Sequence, residues 1–400
     1  MEKKIIFVQL GARFDYAIPK ILEDSGILEA FYTDICSDVG LGKTLKKYFP
    51  RHLSLQKLEN LARRETQLGA KNKIVTFPEV ALRQYLQDVV SKLTKFSANE
   101  QLSDLVFGRA MVQHGVGKAT HVFSMFGEGS EFLKYAKEKG LTTIVDVYIV
   151  PQAASIIQQE RNSFPDLEPL KVPENIVRSE RLRKVCQFTD YYTVPSKFVG
   201  EGLEKLGVSS EQYFILPYAI SDSWLDIVND PLPGRILFVG TAELRKGIHY
   251  LGMAANKLNG FKALDFRVVG GVSDNILNHD LMKNLNFLGR IPRFEVQKEY
   301  ERADIFVLPT LAEGSASAVY EALAAGLPVI TTEAAGSVVR HGIEGFIIPE
   351  RNSELLANYI LELYRNRELR QNMSKAARDR AKKFTWESYS HSLMRILKNI

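Results

Sequence analysis

"LPTLAEGSASAVYEALAAGLPVITT", Leu308–Thr332, decides how the rest of the chain is read. Its ends belong to two strand-like apolar runs, "DIFVLPT" and "LPVITT", and a helical stretch lies between them. That is the strand–helix–strand unit of a parallel sheet. Glu313 and Glu321 stand eight positions apart around a run of Gly, Ser and Ala, where the helix begins. Two acids at a fixed offset carry little information alone, so the surroundings must say what they do.

Outward from this unit the same rhythm continues. "RILFVG", "DFRVVGG", "LNFLGR" and "GFIIP" are further short strands of the second half. In the first half they are "KIIFVQL" from Lys4, "HVFSMF" from His121, "TTIVDVYIV" from Thr142, "YYTVP" from Tyr191 and "QYFILP" from Gln212. Helical candidates between these are 16–25, 78–94, 131–139, 174–188 and 197–206. "SDSWLDIVNDPLPG", with its Pro and Asp, reads as a linker between two doubly wound α/β domains.

Composition bounds the alternatives. The chain has 400 residues, enough for two or three domains, with 45% hydrophobic and 25% charged residues. Two cysteines, Cys36 and Cys186, argue against a disulfide framework and fit a reducing compartment, with both thiols read as small buried hydrophobes. The run Ile5–Val8 is too short for a signal peptide, and no stretch has the length of a membrane span. A cytoplasmic location is therefore expected. The net charge of +5 is uneven: residues 43–95 hold twelve Lys/Arg against four Asp/Glu, a local +8, leaving −3 elsewhere. This region reads either as a solvated face or as a peripheral contact with an anionic membrane, on the inner face of the plasma membrane. Nucleic acid is not expected, because no recognition motif accompanies the charge.

In open parallel sheets, ligands bind just beyond the carboxyl ends of the strands. In the second half those positions read "GTAELRKG", "GGVSD", "GRIPR" and "TLAEGSASAVYE". Glycine there lets backbone N–H groups approach a ligand, Arg245 and Lys246 bring positive charge, and the helix after Gly314 points its amino end at the same crevice. Together they form an anion site suited to a diphosphate. A single glycine in "LGARFDYA" weakens a dinucleotide fingerprint, and no Walker-type loop, metal-ligand spacing or nucleophile elbow is present.

"RILFVG…RKGIHYL", "NFLGRIPRFEV", "ADIFVLPTLAEGSASAVYEALAAGLPVITT" and "EGFIIP", in that order, resemble family-four retaining glycosyltransferases of the GT-B fold, the glycosyl transferases group 1. The first domain resembles them in its rhythm and in "VPSKFV…LGV…FILPYAI", and "FTWESYSHSLMRIL" is similar to the family's last helix. The resemblance implies two Rossmann-like domains facing a central cleft. An acceptor-binding domain would span 1–217 plus 384–400, where the last helix crosses back, and a nucleotide-sugar domain 218–383.

It also distributes roles. Glu321 would bind the ribose hydroxyls, and Glu313 the hydroxyls of the transferred sugar. Gly314, Ser315, Ala316, Ser317 and Ala318 would offer N–H groups to sugar and phosphate. Lys246 would stabilise the departing diphosphate, with Arg245 as second cation, because Thr241 stands after Gly240 where the family usually has arginine. Gly270 and Gly271 fit a phosphate-side turn, and Arg290 and Ile291 a base pocket met through backbone. On the acceptor side the candidates are Gly11, Arg13, Asp146 and Tyr148; the histidine usual after the fourth strand is absent. The implied activity is retaining, metal-independent transfer of a hexose, without cofactor, from a nucleotide-sugar such as UDP-glucose to a glycan or lipid-linked glycan in polysaccharide biosynthesis. A sugar 2-epimerase and a non-catalytic sugar-nucleotide-binding protein remain open alternatives.

Overall fold

The computed structural model of the chain describes residues 2–48, 64–83, 100–169 and 185–400. Its first sheet holds β1 (Ile5–Val8), β2 (Leu28–Thr33), β3 (Ile74–Thr76), β4 (His121–Met125), β5 (Thr142–Asp146), β6 (Tyr191–Val194) and β7 (Tyr213–Ile215), in the order β3-β2-β1-β4-β5-β6-β7. The second holds β8 (Arg235–Val239), β9 (Asp265–Val269), β10 (Asn286–Gly289), β11 (Ile305–Leu308), β12 (Val329–Thr332) and β13 (Gly345–Ile348), ordered β10-β9-β8-β11-β12-β13. Ladders such as β1 with β4, β8 with β9 and β11 with β12 are parallel. Such strands are covered by helices on both faces and read as unbroken apolar runs. "IFVL" of β11 is wholly buried, in a core whose residues run from Leu167 to Ala381.

Two compact units result: Met1–Val147 with Ser179–Thr193, and Tyr148–Arg178 with Val194–Ile400. All strands expected from the sequence are present. β2 and β3 are additions: "LEAFYT" is interrupted by Glu29, and β3 is only three residues long. The helix Ala153–Ser163 is another, its apolar pattern broken by Gln158, Gln159 and the buried Glu160. Of the expected helices 78–94 and 174–188, the portions 84–94 and 174–184 lie outside the described residues.

Ser221–Gly234 is not a free linker. Trp224 is buried, Asn229 Nδ2 donates to the carbonyls of Glu301 (2.8 Å) and Ala303 (3.0 Å), and Arg378 holds the Ile227 and Leu225 carbonyls. Its Pro and Asp residues suited a loop, but Trp224 and Asn229 bind that loop to the second unit. Cys36 is buried and Cys186 half-buried, and burial raises both thiols.

Candidate functional site

The site grows from the turn after β8. Gly240 and Gly270, after adjacent strands, lie so close that a β-carbon on Gly270 would stand 2.0 Å from the Gly240 carbonyl oxygen. Both have a φ open chiefly to glycine, +147° and +142°. The following turn, Leu244–Lys246, closes on Gly247, whose φ of +72° and contact with the Pro309 carbonyl leave no room for a side chain. The Arg245 carbonyl then accepts the Leu311 N–H and the Thr310 hydroxyl, both at 2.8 Å. The turn is thereby fastened to the end of β11.

That fastening brings three expected residues together. Lys246 Nζ and Arg245 Nη1 each stand 2.5 Å from Glu313 Oε1. Arg245 also pairs with Glu243 Oε1 at 2.7 Å and donates to the Ala312 carbonyl at 3.2 Å. Arg245 is thus held by two carboxylates rather than standing as a free second cation. Behind the turn, the Leu244 N–H donates to Glu168 (2.7 Å), itself held by Arg161. Buried Glu160 accepts the Tyr250 hydroxyl and an Arg351 N–H, and pairs with His249. The sequence reading missed this buttress because its partners come from three separate segments.

The small-residue loop is equally constrained. Gly314 faces the Tyr148 carbonyl, which a β-carbon would approach to 1.8 Å, and its own carbonyl accepts the Ser196 hydroxyl at 2.6 Å. The Ser315 hydroxyl points inward, bonded to Tyr320 OH (2.9 Å) and to the Gly336 carbonyl (2.6 Å). The Ala316 N–H is taken by the Ala335 carbonyl at 3.0 Å. Of the expected amides, those of Gly314 and Ser315 donate to no carbonyl among the described residues. Ser317 is exposed and Ala318 buried in the first turn of the helix Ser317–Ala325, which has no side-chain cap at its amino end.

Glu321, on that helix, is only 8% exposed and is no solvated surface acid. Its Oε1 accepts Arg293 Nη2 at 2.9 Å and its Oε2 the Tyr300 hydroxyl at 3.0 Å. Burial raises its carboxyl, and the Arg293 charge opposes that rise. Trp224 aligns both partners, lying 4.6 Å under the Arg293 guanidinium and edge-on to Tyr300 at 5.1 Å. Neither partner was anticipated, nor was the role of Trp224. Thr241 and Arg290 are exposed, Gly271 and Ile291 part-buried.

The acceptor-side candidates are not one group. Gly11, Arg13 and Asp146 belong to the first unit and Tyr148 to the second, where the Tyr148 carbonyl accepts from Tyr218 OH at 3.4 Å. The Gly11 N–H donates to Asp34, which Arg64 holds at 2.7 Å. Phe14, Asp15 and Tyr16 follow at φ +52°, +49° and +61°, a left-handed run that non-glycine residues rarely adopt. Asp146 Oδ1 accepts the Thr193 hydroxyl at 2.7 Å, while buried Oδ2 has no partner among the described residues. Burial pushes the Asp146 carboxyl up to about 6. Glu128, missed by the sequence reading although it stands between glycines after β4, is pushed up to about 8 by burial. Most of the basic region 43–95, namely 49–63 and 84–95, lies outside the described residues. No cluster of metal-ligating side chains occurs among the described residues, and no described helix is long and apolar enough to cross a membrane.

Residues 229–380 match the family model described as "Glycosyl transferases group 1". An amylovoran biosynthesis glycosyltransferase, AmsK of Erwinia amylovora, is 30% identical over 156 residues, covering 34% of this chain and 37% of its own. The chain spans less than half the length of the first curated relatives it matches. Over 99% of its length it superposes on sucrose-phosphate synthase from Thermosynechococcus elongatus, covering 98% of that chain, with a TM-score of 0.68 and 15% identity. It is similar in fold also to Anabaena HepE in complex with UDP: TM-score 0.62, 14% identity, 99% of this chain and 100% of that one covered. The fold is GT-B, two parallel-sheet Rossmann-like halves.

Proposed function

Residues 229–380 belong to the glycosyl transferases group 1, and on that premise we propose that the chain is a retaining, metal-independent hexosyltransferase using a nucleotide-sugar donor. The observation that carries the reading is the Glu313 carboxylate bridging Arg245 and Lys246, beside the glycines that end β8 and β9. Bound donor would place its diphosphate against Lys246 and the free Gly314 and Ser315 N–H groups. Its sugar hydroxyls would donate to Glu313. Each oxygen of Glu321 accepts one hydrogen bond already, and a carboxylate has lone pairs for about four, so both ribose hydroxyls can be added. Arg290 and Ile291 would meet the base through their backbone.

In the reaction the bond from the anomeric carbon to the phosphate oxygen breaks, and the acceptor oxygen bonds the same face. The acceptor's proton passes to the leaving phosphate. Lys246 and the N–H groups stabilise the charge that grows there, the kind of contribution that preorganised donors make to a transition state. UDP-glucose is the proposed donor, supported by the fold's likeness to HepE, which binds UDP. Likeness to an amylovoran biosynthesis enzyme supports a glycan or lipid-linked glycan acceptor, taken by the first unit. The basic stretch 43–95 supports peripheral docking on an anionic cytoplasmic membrane face.

The test is transfer from a panel of nucleotide-sugars to lipid-linked and free glycans, with product anomers assigned by NMR. Glu313→Ala and Lys246→Ala each lose most turnover while circular dichroism and melting stay close to those of the parent. Transfer near the parent rate by either variant overturns the assignment, and an inverted product overturns the retaining mechanism.

A further inference from the structure

The cations nearest the proposed diphosphate position are already balanced by the protein's own acids. Arg245 faces Glu243 and Glu313, Lys246 shares Glu313, and Arg293 faces Glu321. Three cations stand against three carboxylates. A nucleoside diphosphate brings several further negative charges, and Coulomb's law favours a site with a cation left over.

Contacts at three glycines trace where such a cation lies. A β-carbon on Gly240 would touch Lys246 Cε at 3.6 Å, and one on Gly270 would meet the Gly240 carbonyl at 2.0 Å and the Thr241 nitrogen at 3.3 Å. A β-carbon on Gly271 would stand 2.9 Å from Arg290 Nε and 3.2 Å from its Nη2. The Arg290 guanidinium therefore lies against the same glycine-lined strand ends as Lys246, in the space that the absent Gly271 side chain leaves. It is exposed, and among the described residues no carboxylate pairs with it.

We infer that the Arg290 side chain is the second cation of the donor diphosphate, occupying the place that Thr241 cannot fill and that Arg245, bound to two glutamates, does not. The inference rests on the proposed nucleotide-sugar reading. A guanidinium suits this role because its planar fork of donors matches two phosphate oxygens at once. Gly271 is part of the arrangement, since any side chain there displaces the guanidinium.

Isothermal titration and ligand-observed NMR on the full chain compare UDP with uridine, and GDP with guanosine, for the parent, Arg290→Ala and Arg290→Lys. Arg290→Ala weakens the diphosphate at least about tenfold, the value of one charge-assisted pair, and leaves the nucleoside unchanged. The diphosphate's salt dependence becomes shallower, and Arg290→Lys restores part of the affinity. Equal weakening of nucleoside and diphosphate shows a guanidinium stacked on the base and overturns the inference. Unchanged diphosphate binding overturns it as well. If the parent binds neither UDP nor GDP, the nucleotide-sugar reading falls, and the inference with it.

Discussion

Asp146 and Glu321 show what burial does to an acid in this chain. Glu321 is raised by burial yet keeps two donors, Arg293 and Tyr300. Asp146 has only the Thr193 hydroxyl on one oxygen, with Arg13 as the favourable charge, and titrates at about 6 instead of 3.8. The folded state holds this proton more tightly than the unfolded chain, so the neutral acid's stability is fully present below about 4. It is lost as pH rises to about 6, to a total of about 3 kcal/mol. Asp146→Asn keeps an acceptor for Thr193 and removes the charge. Its stability relative to the parent rises across that window and is level above it, as denaturant melts at a series of pH values will read. Parallel curves refute the role of burial. Glu128, pushed up to about 8, titrates through the same range in both proteins and cancels in the comparison.

Among elements, the turns carry more of the site than the helices do. The Leu244–Lys246 turn aims two cations because Gly247 lets it lie flat on the Pro309 carbonyl. Gly247→Ala sets a methyl 1.9 Å from that oxygen at a φ of +72° and costs upwards of about 2 kcal/mol, with Lys246 displaced. Gly314→Ala meets the Tyr148 carbonyl at 1.8 Å and behaves likewise. Gly260→Ala, with nothing within 4 Å, shifts stability by under about 0.5 kcal/mol. Chemical denaturation orders the three variants. A Gly247→Ala protein as stable as Gly260→Ala refutes the steric account. The strand–turn–helix order that places these glycines was legible in the sequence, since each signal spans a few neighbours. That Gly247 abuts Pro309 was not, because the two are distant in sequence.

The second unit is held by long-range polar ties as well as by its core. Asp304, wholly buried before β11, receives the Gly234 N–H at 2.9 Å and is paired by Arg367 at 2.6 Å and Arg370 at 2.9 Å. This binds the helix Arg367–Ala381 to the second sheet. Asp304→Ala leaves Arg370 buried without its carboxylate and costs about 3–5 kcal/mol, read as a fall in the melting midpoint. A variant melting with the parent refutes that tie. A nucleotide bound as proposed would act in the opposite direction: at a hundred times its Kd it would add about 2.7 kcal/mol to the state that binds it. A thermal-shift series with UDP, GDP and their sugars therefore reports both donor and base, and a flat response across it counts against the proposed function.

The sequence by itself determined the alternation of strands and helices. It also placed Gly240, Lys246, Glu313 and Glu321 beyond strand ends, because hydrophobic period and turn chemistry are properties of adjacent residues. Tertiary structure alone decided that Glu313 bridges two cations, that Glu321 rests between Arg293 and Tyr300, and that Asp146 is sealed from water. Those facts depend on which distant residues meet and on how much solvent their meeting excludes. No local pattern encodes either.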